Sequence, residues 1–526
     1  MFQEAVKRLS SAFEVYPWVS ELSGILPLSA LIDFIEIPTK LHVLELTGYV
    51  PLWGWAITPS GSRLLLSKPK TMCGQPLTQD CYLDRYGNSP AFEALDGLYG
   101  DRYFVNNPET LRLLLAGAKI THIQNDHTNM HDRHLTPRIQ NVEIIHFVRH
   151  KQNPLSESLA EPSSKEPLQV PPFRPLLSRI RTFNKPLRKT PSLYKVTSIV
   201  GWVLWVFTAT ASVFCGLWIS FSFIVLLPIT GTIVCLLFGY QPRKLLVDKK
   251  SEYVRLVVVT EHMNTSNWKI IMGESTIVNS LVNRPLERSG RHPPNTRTLI
   301  LRNLLRICIV GQWAIALGAS AMKYWDAYLI CFWIAFPIFC QAYLISPSFC
   351  AKAWLEQQAG VHVERYTTQV SSRRSLLNLI VALNPDTFGV KDGETDYAQF
   401  AGSSMKWINP ILAECENRST WETATREAAE AFAGLQADSV RKSDVGNQWD
   451  HDSNFPSQVW NDKWRVFMRK PTGEQVEKYY WRRFIPEGIY LANKIKNESN
   501  IPPGKHVEQV ERIVVKPLDT EKFIGF

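Results

Sequence analysis

Charge is missing from the middle of this chain. From Val196 to Pro242 there is no Asp, Glu, Lys, Arg or His, a run of 47 residues in a protein of 526 that is 20% charged overall. As helix, at 1.5 Å per residue, that run reaches about 70 Å, roughly twice a bilayer's hydrocarbon core with a turn to spare. Two spans fit, near Val196–Cys215 and Leu217–Tyr240, joined around Gly216. Charge is missing again from Ile307–Met322 and Ala327–Ala351, separated by Lys323-Tyr324-Trp325-Asp326. The first of these stretches is short unless Leu304 and Leu305 join it while Arg306 snorkels to the headgroups. A buried soluble helix is the alternative for any one stretch. Four stretches in two positively flanked pairs favour membrane hairpins.

Other absences narrow function. No GxxxxGK[ST], GxGxxG, CxxC, GxSxG or kinase signature occurs, which removes support for ATP-driven transport and the common cofactor folds. The spans contain no charged group of the kind that marks an ion or proton route, and Gln312 is their strongest polar candidate. Thr208, Ser212 and Gly216, like Gly231, Cys235 and Gly239, recur every four positions and read as packing seams. Cysteine is sparse and odd in number. Six of the nine (Cys215, Cys235, Cys308, Cys331, Cys340 and Cys350) lie in or beside the spans, and free thiols are expected. The first residues have no apolar h-region, so no cleaved signal peptide is expected.

What is present is basic charge at the membrane boundary. Seven Lys and Arg with no acid run from Arg174 to Lys195, and Arg243–Arg306 holds twelve against five acids, so each segment is +7 in a chain of +10. Beyond the span turns, Lys323 is the sole basic residue. The positive-inside rule then places both termini and the central segment in the cytosol, leaving the sequons at Asn264, Asn417 and Asn497 unused. The basic flanks would meet the anionic headgroups of the lipid bilayer. No zinc-finger pattern, RNA-binding aromatic motif or long basic recognition helix argues for nucleic acid.

The fold class read from these patterns is an α-helical polytopic membrane protein with four transmembrane helices in two hairpins. A cytosolic α+β N-terminal region, a small β-containing central insert and a mainly helical C-terminal region accompany them. Residues 1–150 form the α+β domain, with an apolar run Leu41–Leu52 and a helix over Pro108–Ala118; residues 151–195 are a Pro-rich basic linker. Residues 196–242 are the first transmembrane hairpin. Residues 243–302 are the insert, where Tyr253–Val259 and Trp268–Met272 predict a β-hairpin followed by Ser275–Val282. Residues 303–351 are the second hairpin. Residues 352–435 are helical, with Ser419–Glu422 as a capping box, and residues 436–526 form a polar, partly disordered tail. An amphipathic element over Tyr479–Asn497 is interrupted near Pro486-Glu487-Gly488, and Asn384-Pro385-Asp386-Thr387 reads as a solvated turn.

Reactive side chains concentrate between Thr121 and His134. Six of the twelve histidines (His122, His127, His131, His134, His146 and His150) fall within 29 residues. On a helix, His127, His131 and His134 would share one face, with Asp126 or Asp132 to orient an imidazole, and with His122 they would make a site for Zn or Fe. Asn125, Asn129, Thr128 and Pro137 weaken that helix, and Thr128 stands where a zincin HExxH has its general base. A polar surface loop with incidental histidines is the alternative. Membrane desaturases and hydroxylases display several His boxes after their spans, whereas this cluster precedes every span.

Leu256–Asn264 (LVVVTEHMN), Gly273–Pro285 (GESTIVNSLVNRP), Leu376–Asp386 (LLNLIVALNPD) and Trp407–Leu412 (WINPIL) together resemble a group of uncharacterised multi-span membrane proteins of filamentous fungi. The resemblance covers the central and C-terminal two thirds. It implies a fungal, membrane-embedded protein and brings no catalytic residue or cofactor. The expected function is a non-enzymatic, membrane-anchored interaction or organising protein that meets protein partners on its cytosolic face. A metal-dependent membrane enzyme using His122, His127, His131 and His134, and a small-solute channel or transporter, are the alternatives.

Overall fold

The structure is a computed structural model. It describes residues 15–31, 37–57 except 49, 91–126, 139–149, 192–238, 243–245, 251–288 except 252 and 285, 296–385 except 358, 405–441, 449–450, 455–456 and 484–499, with single residues 11, 62, 65, 130 and 481. In chain order the elements begin α1 (Pro17–Leu31), α2 (Ile37–Thr47), β1 (Glu93–Asp96), β2 (Arg102–Phe104), α3 (Pro108–Ala116), β3 (Ile120–His122) and β4 (Gln140–Arg149). They continue with α4 (Ser192–Phe214), α5 (Trp218–Phe238), β5 (Val254–Thr260), β6 (Asn267–Glu274), α6 (Ser275–Val282), α7 (Thr296–Met322) and α8 (Trp325–Phe339). Last come α9 (Pro347–Gln357), β7 (Val361–Val370), α10 (Arg373–Leu383), α11 (Glu416–Arg441) and α12 (Ile485–Ser499).

Four helices are long and apolar enough to cross a membrane: Leu193–Phe214, Trp218–Phe238, Leu299–Met322 and Trp325–Leu344. Large apolar side chains point outward from them, with Phe207 and Phe214 about 70% exposed, as a hydrocarbon solvent allows and water does not. Gly216 (φ +74°) makes the tight turn between α4 and α5. The two hairpin turns lie at one end of the bundle, where the backbone N–H and Oγ of Ser220 both donate to Asp326 Oδ1 at 2.8 Å. Thr208 and Ser212 are buried in the seam with α8, and Trp333 Nε1 donates to Thr208 Oγ1 at 3.1 Å. Pro337 interrupts the α8 ladder, which widens into a π-turn at Cys340–Leu344.

Residues that read as three separate polar regions build one seven-stranded mixed sheet, ordered β2-β1-β5-β6-β4-β7-β3. The pairs β4–β6 and β7–β3 are parallel and the rest antiparallel. The expected hairpin is present as β5 and β6, but it forms the middle of this sheet. Leu256 to Val259 are fully buried on both faces, so the strand reads as a continuous β-branched run. Leu95, Val142, Ile144, Val258, Trp268 and Ile270 pack under α10, α11 and α12. Ile145, Phe147, Val257 and Ile271 pack under α3, α6 and α9. α9 couples sheet and bundle, with Cys350 in the bundle core and Ala351, Trp354 and Leu355 in the sheet layer.

Several local expectations change. The Pro486-Glu487-Gly488 sequence opens α12 instead of interrupting it, with the proline in the first turn. Buried Glu487 Oε1 accepts from Ser371 N at 2.8 Å and Asn125 Nδ2 at 3.0 Å, while Oε2 accepts from Ser375 Oγ at 2.5 Å and from Ser371 Oγ. A Cβ on Gly488 would lie 2.5 Å from Asn378 Cβ and 2.7 Å from Leu379 N, so α12 crosses α10 at a distance only glycine permits. Asn384 is buried, and its Nδ2 donates to Gly97 O at 2.7 Å, so the first residue of that expected turn is a tertiary anchor; Asp386 and Thr387 lie outside the described residues. α11 starts at Glu416, ahead of the expected capping box; Ser419 Oγ and Thr420 Oγ1 bond back to Glu416 O inside the helix.

The chain from Pro17 to Ile57 packs mainly on the bundle, although Leu46 reaches the core beneath the sheet. α1 lies against α7 and α8, and Leu41, Val43, Leu44, Trp53 and Trp55 belong to the bundle core. The segment Pro51–Ile57, a 3₁₀ turn at Leu52–Gly54 followed by irregular chain, is wedged between helices, made possible by Gly201 against the Trp53 ring and Gly231 against Leu52 O. Gln312 replaces the missing backbone partners: its Nε2 donates to Trp55 O at 3.1 Å and Thr230 Oγ1 at 2.9 Å, and its Oε1 accepts from Ile57 N at 3.1 Å. Non-helical backbone at this depth is tolerated where protein buries and pairs it.

Candidate functional site

Side chains alternate between faces along a strand, so residues 141, 143, 145 and 147 of β4 share one face. Register aligns Asn141 with Asn267 and Gln369, and Glu143 with Lys269 and Thr367. His122 of β3 lies opposite Thr367. Further along the same face stand Ile145, Phe147 and Ile271, covered by helices. The change from apolar to polar side chains marks where that cover stops, and there a cleft of about 750 Å³ opens.

Strand connections show which end this is. β4 ends at Arg149 ahead of α4, β5 begins at Val254 after α5, β6 ends at Glu274 before α6 and α7, and β7 begins at Val361 after α9. These residues lie side by side in the sheet, with Arg149 paired to Val361 and Val254 to Glu274. The cleft sits at the opposite, bundle-distal end, beside the β5–β6 turn.

In the cleft Glu143 pairs across strands with Lys269, and with Arg365 next to the lining. Glu143 Oε2 accepts from Lys269 Nζ at 2.9 Å, and its Oε1 accepts from Arg365 Nε. Burial works against the Glu143 carboxylate, but the Arg365 hydrogen bond and the Lys269 cation outweigh it and hold its pKa below the ordinary range. Arg365 also donates to Leu115 O at 2.9 Å, closing the end of α3. The remaining lining is largely amide and hydroxyl: Asn141 Nδ2 donates to Asn267 Oδ1 at 2.9 Å, and Gln369 Nε2 donates to Asn141 Oδ1 at 3.1 Å.

Of the four histidines read as metal ligands, His122 stands in this cleft with Nδ1 2.6 Å from Thr367 Oγ1. His127, His131 and His134 lie outside the described residues, although Met130, between them in sequence, lines the cleft. Among the described residues no group of three or more His, Cys, Asp or Glu is placed to hold a metal. His146 is on the opposite face, buried, with Nδ1 3.2 Å from Glu364 Oε2, to which Tyr366 Oη also donates at 3.2 Å. Sequence reading missed Asn141, Glu143, Lys269 and Gln369. Their signal was a polar residue at alternate positions of strands that are otherwise apolar.

The fold and the cleft together define a membrane-protein class: four helices long and apolar enough to span a bilayer, carrying a mixed-sheet domain with a polar cleft far from the bundle. No family model matches the chain, and no match is found among curated proteins or solved structures.

Proposed function

We propose that this is a non-enzymatic, membrane-anchored binding protein whose sheet domain faces the cytosol and whose cleft receives an extended polypeptide segment of a partner protein. One observation carries the reading: the cleft's lysine, Lys269, is paired with Glu143, and, apart from Glu261 beside the β5–β6 turn and His122, the rest of the polar lining is carboxamide and hydroxyl. A carboxamide both donates and accepts, and so matches a peptide backbone without demanding charge. The Lys and Arg that flank the spans on the sheet side support the cytosolic orientation and contact with anionic headgroups. Gln312, the polar side chain deep in the bundle, is engaged in structural hydrogen bonds, which supports an anchor over a solute path.

The test is to pan a displayed random-peptide library against the detergent-purified protein, beside an Asn141→Asp/Gln369→Glu variant that adds two uncompensated charges to the cleft. Enrichment of uncharged polar sequences that lose at least about tenfold in affinity for the variant is expected, a change of about 1.4 kcal/mol. Equal enrichment on both proteins would sink the cleft reading. Near-stoichiometric Zn or Fe, lost in a His127→Ala/His131→Ala/His134→Ala variant, would replace it with the metal-enzyme reading.

A further inference from the structure

We propose that Tyr16–Thr47 is a fifth membrane passage, so that the chain ahead of α1 and the sheet domain lie on opposite sides of the bilayer. This rests on the bundle being membrane-embedded, and it revises the expectation that both termini share a side.

The two ends of the segment are tied to opposite ends of the bundle. At the hairpin-turn end, Tyr328 Oη donates to Val19 O at 2.8 Å, Lys323 Nζ pairs with Glu21 Oε1 at 3.2 Å, and Gly24 lies against Ser320 O. At the sheet end, Lys40 Nζ donates to Gly54 O, beside Pro337, and stands 4.9 Å from the Trp55 ring centre. Two residues on, His42 Nε2 is 3.2 Å from Thr110 Oγ1 of α3, and Leu46 enters the core beneath the sheet. From Val19 to Leu31 the helix rises about 18 Å, and Ile37 to His42 adds about 8 Å. That approaches the roughly 30 Å of a hydrocarbon core.

The side chains agree with the path. Tyr16 and Trp18 are exposed at the turn end, as are Trp218 and Tyr324, forming the aromatic belt expected where a bundle meets the headgroups. Ile25, further along α1, is also exposed and apolar. The charged side chain of Lys40 turns inward onto a carbonyl and an indole, as ionisable groups within a membrane do. Hydropathy misses this passage because its two described helices have 15 and 11 residues, each too short to span alone, and Asp33 and Glu36 lie between them in the sequence.

The experiment uses the full chain with one epitope tag ahead of Met1 and another after Phe526, in sealed membrane vesicles treated with protease. One tag should be digested and the other protected until the vesicles are permeabilised. Ser11→Cys and Glu261→Cys variants, each in a background with Cys73, Cys81, Cys215 and Cys415 replaced by Ser, should likewise label from opposite sides with a membrane-impermeant maleimide. Shared fates for both pairs, in protein that resists carbonate extraction, would overturn the fifth passage while leaving the bundle embedded. Release by carbonate would overturn the embedded bundle and the passage with it.

Discussion

His146 shows how burial and register determine what a histidine does. It stands opposite Glu364 on the face away from the cleft, and burial, only partly offset by the Glu364 hydrogen bond and charge, lowers its pKa. The unfolded chain therefore binds more protons at mildly acidic pH, and the stability His146 contributes is complete above the ordinary value of about 6.5. It is lost as pH falls from there through the lower folded-state value. Thermal melts of the detergent-purified protein between about pH 7.5 and about pH 5 should show this loss, and His146→Gln should remove that component. An unchanged pH profile in the variant would contradict the assignment. His122, 24 positions earlier in a histidine-rich stretch, sits in the cleft against Thr367. Proximity in sequence grouped these histidines; the strand register separated them.

At the scale of elements, glycine and a carboxamide explain how irregular chain enters the bundle. Gly231 of α5 touches Leu52 O and the Trp55 ring, and Gln312 of α7 pairs Trp55 O and Ile57 N. Gly231→Val should expel Pro51–Ile57 and leave those backbone groups unpaired, at a cost of about 1–3 kcal/mol for each buried group. A lower melting temperature and greater access of a soluble quencher to tryptophan fluorescence would register it; wild-type values for both would refute it. Gly231 was legible as part of a small-residue seam, but the period of four pointed to a long helix as its neighbour, and the neighbour is a short 3₁₀ turn with irregular chain after it. The buried side chain of Glu487 was illegible for a related reason. An acid beside proline and glycine reads as a solvated break until Ser371, Ser375 and Asn125 are seen to converge on it.

The whole molecule is interlaced. β4 comes before every long apolar helix in the chain, yet it lies between β6, from between the two hairpins, and β7, from after them. Sheet and bundle therefore cannot be separated by one cut without opening strand edges. A chain split after residue 164 should make this visible. Residues 165–526 alone should aggregate in detergent, because β6 and β7 lose the strand between them, and co-expression with residues 1–164 should restore a single symmetric peak in size-exclusion chromatography. A monodisperse 165–526 fragment would show that the sheet closes without β4.

The sequence by itself determined the four long apolar helices, their pairing around Gly216 and Lys323–Asp326, the β5–β6 hairpin, and the helices at Pro108–Ala116 and Ser275–Val282. Each is encoded by a local pattern: unbroken apolarity, β-branched runs bounded by turn residues, or a proline at a helix start. Tertiary structure alone decided that three distant segments share one sheet, that Pro17–Ile57 joins the bundle, and that Asn141, Glu143, Lys269 and Gln369 meet in a cleft. Those outcomes depend on strand register and on close approach at Gly201, Gly231 and Gly488, which arise between segments and leave no periodic trace in any one of them.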